Sequence, residues 1–176
     1  MTKKLRKSDE VQRVYLTGVV DAQFVALGRK KLDKIMQNFP GSEIIVDINS
    51  PGGSIFEGLD LFGVIREASK KGHKVTTVAS GFCASMGGVL LQAGDVRQIR
   101  EDSHLHLHEA LSMAGGNSSE IADAAALLEK LTRQMVEIYA RKSSLTADEI
   151  HDRIKRQDWW LTAEEALAVG FVDEVI

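Results

Sequence analysis

Apolar residues recur along this chain in two alternating rhythms, short β-branched runs and longer stretches at helical spacing, and the alternation predicts an α/β protein. Residues 14–20 are rich in β-branched and aromatic side chains and read as a strand. Asp21 caps a following helix with an approximate stripe of Phe24, Leu27, Leu32, Ile35 and Met36. Pro40-Gly41 interrupts the chain, residues 44–48 read as a buried strand, and Asn49-Ser50-Pro51-Gly52-Gly53 is a turn that continues neither regular structure. The next helix has Ile55, Leu59, Phe62 and Ile65 close to one face. A strand is expected at 74–79, then a tight stretch from Ser80 to Gly88 and a short buried helix ending near Gly94.

Further strands are expected around 96–100 and 104–108. The longest helical signal covers 117–142, opens on the capping box Asn117-Ser118-Ser119-Glu120, and repeats Ile121, Ala124, Ala125, Leu128, Leu131 and Met135 at helical spacing. Two more capping boxes, Thr146 to Glu149 and Thr162 to Glu165, start shorter helices. The last of these stops at Gly170, and residues 171–176 read as a short closing strand.

With 176 residues, 44% of them apolar, one compact domain over 14–176 is expected, preceded by a flexible segment 1–13. The cluster Lys3, Lys4, Arg6 and Lys7 fits a solvated, frayed end. Basic and acidic residues, 22 against 25, nearly balance, which argues against a nucleic-acid partner. The single cysteine, Cys83, excludes an intramolecular disulfide and fits a reducing compartment and a small core residue. No run approaches the ~18 apolar residues of a membrane span. The basic start is not followed by a secretory apolar segment, so a cytoplasmic chain without a membrane partner is expected.

Ser85 lies among small residues, Gly81-Phe82-Cys83-Ala84-Ser85-Met86-Gly87-Gly88, at an expected strand-to-helix junction. Such a junction can expose a hydroxyl beside backbone N–H groups that would stabilise an oxyanion, although small residues packing a helix on a sheet read the same way. The Asn49 to Gly53 turn, after a buried strand, can aim N–H groups into a cavity or be an ordinary Pro-Gly turn. Two such turns at strand ends are more informative together, because open α/β sheets bind ligands there. His104, His106 and His108 would share one face of a strand, which allows a metal reading, a plain polar face, or a role for the last of them, His108, as base to Ser85. An orienting carboxylate would come from Glu109, Asp148, Asp152 or Asp158. Asp158 stands out because Trp159, Trp160 and Leu161 follow it, which suggests a buried edge.

Four segments taken together resemble the Clp protease proteolytic subunit, in the same order. They are Val14 to Asp21, Ile48-Asn49-Ser50-Pro51-Gly52-Gly53, Ala84-Ser85-Met86-Gly87, and Leu161 to Ala166 with Gly170 to Asp173. The resemblance implies a Clp-protease/crotonase-like fold of repeated β-β-α units wound into a superhelix with a protruding handle helix. It implies Ser85 as nucleophile, His108 as base, Asp158 as orienting residue, and an oxyanion hole from the N–H groups of Gly53 and Met86. The family's His ends a strand Met-Ile-His-Gln-Pro, matched here by His106-Leu107-His108-Glu109-Ala110. It also implies stacked, heptameric rings acting on unfolded or small polypeptides, fed by an AAA+ unfoldase. No cofactor is expected in this chain, and ATP would be used only by that partner.

Departures from the family pattern are a short N-terminal region, Ala110 to Gly116 in place of Pro and Gly-Gly, and Gln157 where an Arg usually precedes the Asp. These and the Trp159-Trp160 pair are similar to phage-type Clp-like peptidases, some of which act in head maturation, and imply an alternative without an unfoldase. An enoyl-CoA hydratase-like (crotonase) protein and a ring subunit that does not cut are the remaining alternatives.

Overall fold

A computed structural model describes residues 10–176. Its first four elements are β1 (Gln12–Thr17), α1 (Ala22–Asn38), β2 (Glu43–Ser50) and α2 (Ile55–Lys70). They are followed by β3 (Lys74–Ala84), α3 (Met86–Leu91), β4 (Val96–Ile99) and β5 (His104–Leu107). The chain ends with α4 (Ser118–Ala140), α5 (Ala147–Ile154), β6 (Trp159–Leu161), α6 (Ala163–Ala168) and β7 (Glu174–Val175). The order β1-β2-β3-β4-β7 is parallel throughout, as strand–helix alternation demands. β5 pairs in parallel with the far end of β3, and β6 runs antiparallel to β5. The lysine and arginine cluster lies outside the described residues, as does most of the segment 1–13; Gln12 and Arg13 already belong to β1.

The helix caps follow the sequence closely. Asp21 Oδ1 accepts the Phe24 N–H at 2.8 Å, and the three capping boxes at Asn117, Thr146 and Thr162 all form. The helix faces overlap the expected stripes, with Phe24, Leu32, Ile35 and Ile65 buried, but are rotated from them. α1 buries Phe24, Val25, Gly28, Leu32 and Ile35, while Leu27 is exposed. Gly28 sets this rotation: a Cβ there would stand 3.0 Å from Leu61 Cδ1 and 3.2 Å from Leu16 Cδ2, so the closest approach to α2 is centred on the glycine. On α2 the buried face is Gly58, Leu61, Val64, Ile65 and Ala68, with Gly58 seated against the side chain of Met86.

β3 corrects the expectation of a strand ending at Ala79. Residues Thr76 to Ala79 pair with β4 and residues Phe82 to Ala84 pair with β5, so one strand serves two neighbours. Gly81, at φ +74°, sits at the changeover, its N–H bonded to Ser103 Oγ at 2.8 Å, and β2 shifts register between Ile48 and Ser50 alongside it. β6 forms at Trp159–Leu161, where the sequence led to no expected strand. α4 buries Leu131, Thr132, Met135, Val136, Ile138 and Tyr139, while its first half projects with Ile121 and Leu127 exposed. Among the described residues no helix is long and apolar enough to cross a membrane.

Candidate active site

Ser85 occupies the single residue between β3 and α3 and has φ 52°, ψ −123°. A positive φ on a residue with a Cβ costs about 1–3 kcal/mol and persists only where neighbours enforce it. Two neighbours do so. The Ser85 N–H bonds to the His106 carbonyl at 2.8 Å, which extends the β3–β5 ladder by one step. Gly52, at φ +93°, lies directly against it: a Cβ on Gly52 would stand 2.6 Å from Ser85 Cβ and 3.0 Å from Met86 N. The result is a strand–turn–helix junction that carries a half-buried hydroxyl at the turn.

Neither the Gly53 nor the Met86 N–H has an acceptor among the described residues. On either side of Gly53 the backbone is fully engaged, with Val20 N–H donating to Gly52 O and Ser54 N–H donating to Val20 O, each at 2.8 Å. Gly53 itself is pressed on the Val20 backbone, where a Cβ has no room. Ser85 and Gly53 line a cleft of about 220 Å³ with His108, Pro51, Ala110 and Met135. This cleft adjoins an apolar groove of about 340 Å³ between the start of α2, the 111–114 segment and α4.

His108 follows β5 and is half-buried. Burial pushes its pKa below the ordinary value near 6.5, the neighbouring His106 pushes it the same way, and Asp158 only partly opposes them. The imidazole is therefore neutral at pH 7, the form that can accept a proton. His108 and Ser85 share two clefts without a hydrogen bond between them.

The carboxylate geometry differs from the expected one. β5 and β6 pair Leu105 with Leu161, His106 with Trp160 and Leu107 with Trp159, so the next step sets Asp158 opposite His108. The Asp158 carboxylate nevertheless points along the diagonal, with Oδ1 3.3 Å from His106 Nε2. Its side chain is 65% exposed rather than buried at an edge, because the tryptophan that packs inward is its neighbour Trp159, between Phe171 and Arg153. The other candidate carboxylates are engaged elsewhere. Glu109 Oε2 accepts the Arg156 N–H at 2.8 Å, Asp148 pairs with Arg133 at 2.5 Å, and Asp152 lies 3.8 Å from His151.

Among the described residues no group of three or more His, Cys, Asp or Glu side chains gathers as a metal site. Cys83 is fully buried, its thiol pKa pushed up by that burial, with Sγ donating to Ile48 O at 3.3 Å; it is a core residue. His73 is likewise a satisfied core histidine, with Nδ1 3.0 Å from Ser42 O. Sequence reasoning missed Gly52 as the residue that shapes Ser85, and His106 as the partner of Asp158. The shared face of the three histidines was the available signal for the second; no sequence signal distinguished Gly52 from Gly53.

A model of the Clp protease family matches residues 3–176. The ATP-dependent Clp protease proteolytic subunit 3 of Rhodococcus jostii is 36% identical over 165 residues, covering 93% of this chain and 80% of that protein. The ATP-dependent Clp protease proteolytic subunit 2 of Tropheryma whipplei is 37% identical over 138 residues, 77% of this chain and 74% of that protein. The ATP-dependent Clp protease proteolytic subunit of Bacteroides fragilis is 35% identical over 139 residues, 78% of this chain and 65% of that protein.

Proposed function

The chain belongs to the Clp protease family of serine-type peptidases, and from that premise we propose that it is an endopeptidase using Ser85, His108 and Asp158 on unfolded or small polypeptides. The observation that carries the reading is the strained Ser85 turn, which shares its cleft with a neutral His108 and with Gly53, beside unpaired Gly53 and Met86 N–H groups. Ser85 Oγ attacks the peptide carbonyl while His108 takes its proton, and the carbonyl oxygen becomes an oxyanion held by the two N–H groups. His108 then gives the proton to the leaving amine, and water resolves the acyl-enzyme by the same route. Asp158 fixes the imidazole and stabilises its charged form. Between the two enzyme readings drawn from the sequence, family membership selects the peptidase over the crotonase-like protein.

The wider setting belongs to the same reading. The chain assembles with copies of itself into stacked rings, with the exposed apolar side chains of α4, among them Ile121 and Leu127, in the contact. Substrate is delivered in the cytoplasm by an ATPase partner of the unfoldase type. That partner alone uses ATP, and no cofactor is needed here. In sedimentation velocity the protein is expected as an assembly; a monomer at every concentration would remove the ring.

The direct test is intact-mass analysis after a fluorophosphonate probe, in which Ser85 Oγ displaces fluoride from phosphorus. A single adduct on Ser85 is expected, formed ~10²-fold or more slowly in His108→Ala. The labelling rate of the native protein should fall on acidification as His108 gains a proton, with its midpoint below the usual histidine value of 6.5. Absence of any adduct, or a midpoint well above that value, would sink the reading.

A further inference from the structure

The proposed mechanism has no use for His106, yet its Nε2 lies 3.3 Å from Asp158 Oδ1. Its ring stacks with two others, Trp160 at 4.2 Å and 21° and His108 at 5.2 Å and 9°. Two stacked neighbours restrict this ring more than the largely exposed Asp158 side chain is restricted. The His106 Nε2 is buried and makes no hydrogen bond, with Asp158 Oδ1 facing it at 3.3 Å outside hydrogen-bond geometry. The stacked arrangement also prevents His106 from passing a proton to His108, because nearly parallel rings at 5.2 Å present faces and not in-plane nitrogens to each other.

Asp158 has the opposite character. Its side chain is mostly exposed, and the β5–β6 register sets it opposite His108 and diagonal to His106, on the sheet face that carries both imidazoles. One side-chain rotation therefore decides which histidine it serves. The Arg156 N–H bonded to Glu109 Oε2 ties the preceding loop to the end of β5, so the backbone stays in place while the carboxylate turns.

We propose that His106 is a positioning residue that competes with His108 for the Asp158 carboxylate, so that the described arrangement is the latched form of the site. This rests on the assignment of Ser85 and His108 above. In the latched form His108 lacks its orienting partner and Ser85 is activated only weakly. In the released form Asp158 turns to His108. The ratio of the two forms is set by the difference in affinity of the two imidazoles for one carboxylate.

The prediction is a double-mutant cycle read as fluorophosphonate labelling rates of the full-length protein. His106→Met removes the competing nitrogen and keeps a side chain that packs on Trp160. Native protein is expected to label about fivefold more slowly than H106M, since a latch worth one decade in population hides most of the competent form. Asp158→Asn should slow native protein less than about threefold but slow H106M by about tenfold or more. A residue with only a packing role would show equal Asp158→Asn factors in both backgrounds, and that equality overturns the proposal. His106→Leu repeats the cycle with a different apolar side chain, and melting temperatures identify a variant that has lost its fold. His108→Ala separates the two levels: slow labelling there with an additive cycle removes the latch and leaves the peptidase reading standing. Labelling as fast as native there removes both.

Discussion

Gly52→Ala should lower the rate at which Ser85 reacts with a fluorophosphonate by about 10²–10³-fold, the effect of losing an oxyanion donor, in a chain that still folds. Gly52 touches the site from below the turn. A Cβ there would stand 2.6 Å from Ser85 Cβ, 2.8 Å from Ala84 O and 3.0 Å from Met86 N. These are the nucleophile's own carbon and two backbone atoms, not the end of a flexible side chain, so relief requires the turn to move. Moving it displaces the hydroxyl and the Met86 N–H together. Gly52 also has φ +93°, so the substitution carries backbone strain as well. Gly72 separates the two effects. It has φ +89°, and a Cβ there would meet nothing within 4 Å, so Gly72→Ala should cost about 1 kcal/mol of stability and leave labelling unchanged. Folded Gly52→Ala labelling within about threefold of native would show that the turn tolerates the shift, and that Ser85 is not held by this contact.

The two substitutions also show what could be read from the chain before its fold was known. Residue types and local spacing carried the strand–helix alternation, the caps at Asp21, Asn117, Thr146 and Thr162 and the Ser85 turn, since a cap or a turn is decided by a few consecutive residues; the Ser54 cap of α2 went unread. The faces of α1 and α2 were legible in part, with Phe24, Leu32, Ile35 and Ile65 buried as expected, but the close approaches at Gly28 and Gly58 were not, because a missing side chain leaves no apolar signal. The end of β3 was hidden for a related reason: Gly81 reads as a breaker, yet here it carries one strand from one neighbour to the next. In the site, the three histidines on one face were visible as a pattern, and the resemblance singled out His108. Their division of Asp158 depends on the pairing of β5 with β6, some fifty residues apart, which no local pattern encodes.

Arg97→Met is expected to produce a larger loss of stability than any other substitution proposed for this chain, about 3 kcal/mol in a urea titration. Arg97 is on β4 with a side chain only 2% exposed, and it serves several acceptors at once. Its Nη2 and Nε bond to Asp173 at 2.6 and 3.0 Å, and Nη1 bonds to Gln92 Oε1 and Gly170 O, each at 2.9 Å. Gln92 caps the helix that starts after Ser85 and donates to Phe171 O at 3.1 Å, so the network joins that helix to the C-terminal segment. Methionine fills the volume but leaves Gln92 and the Gly170 carbonyl buried without their partner. The figure is taken from the low end for broken buried pairs because Asp173 keeps 38% exposure, which lets water replace part of the loss. Burial pushes the Asp173 carboxyl pKa up, but its hydrogen bonds with Arg97 outweigh this and hold it below the ordinary 3.8. A depressed folded value means stability that is present above the unfolded pKa and lost as pH falls through the folded one. The native protein should therefore lose this contribution below about pH 4, and the gap between native and R97M should narrow there. A gap under about 1 kcal/mol at pH 7, or one that does not change on acidification, would mean that packing and not the charge network secures the C-terminal segment.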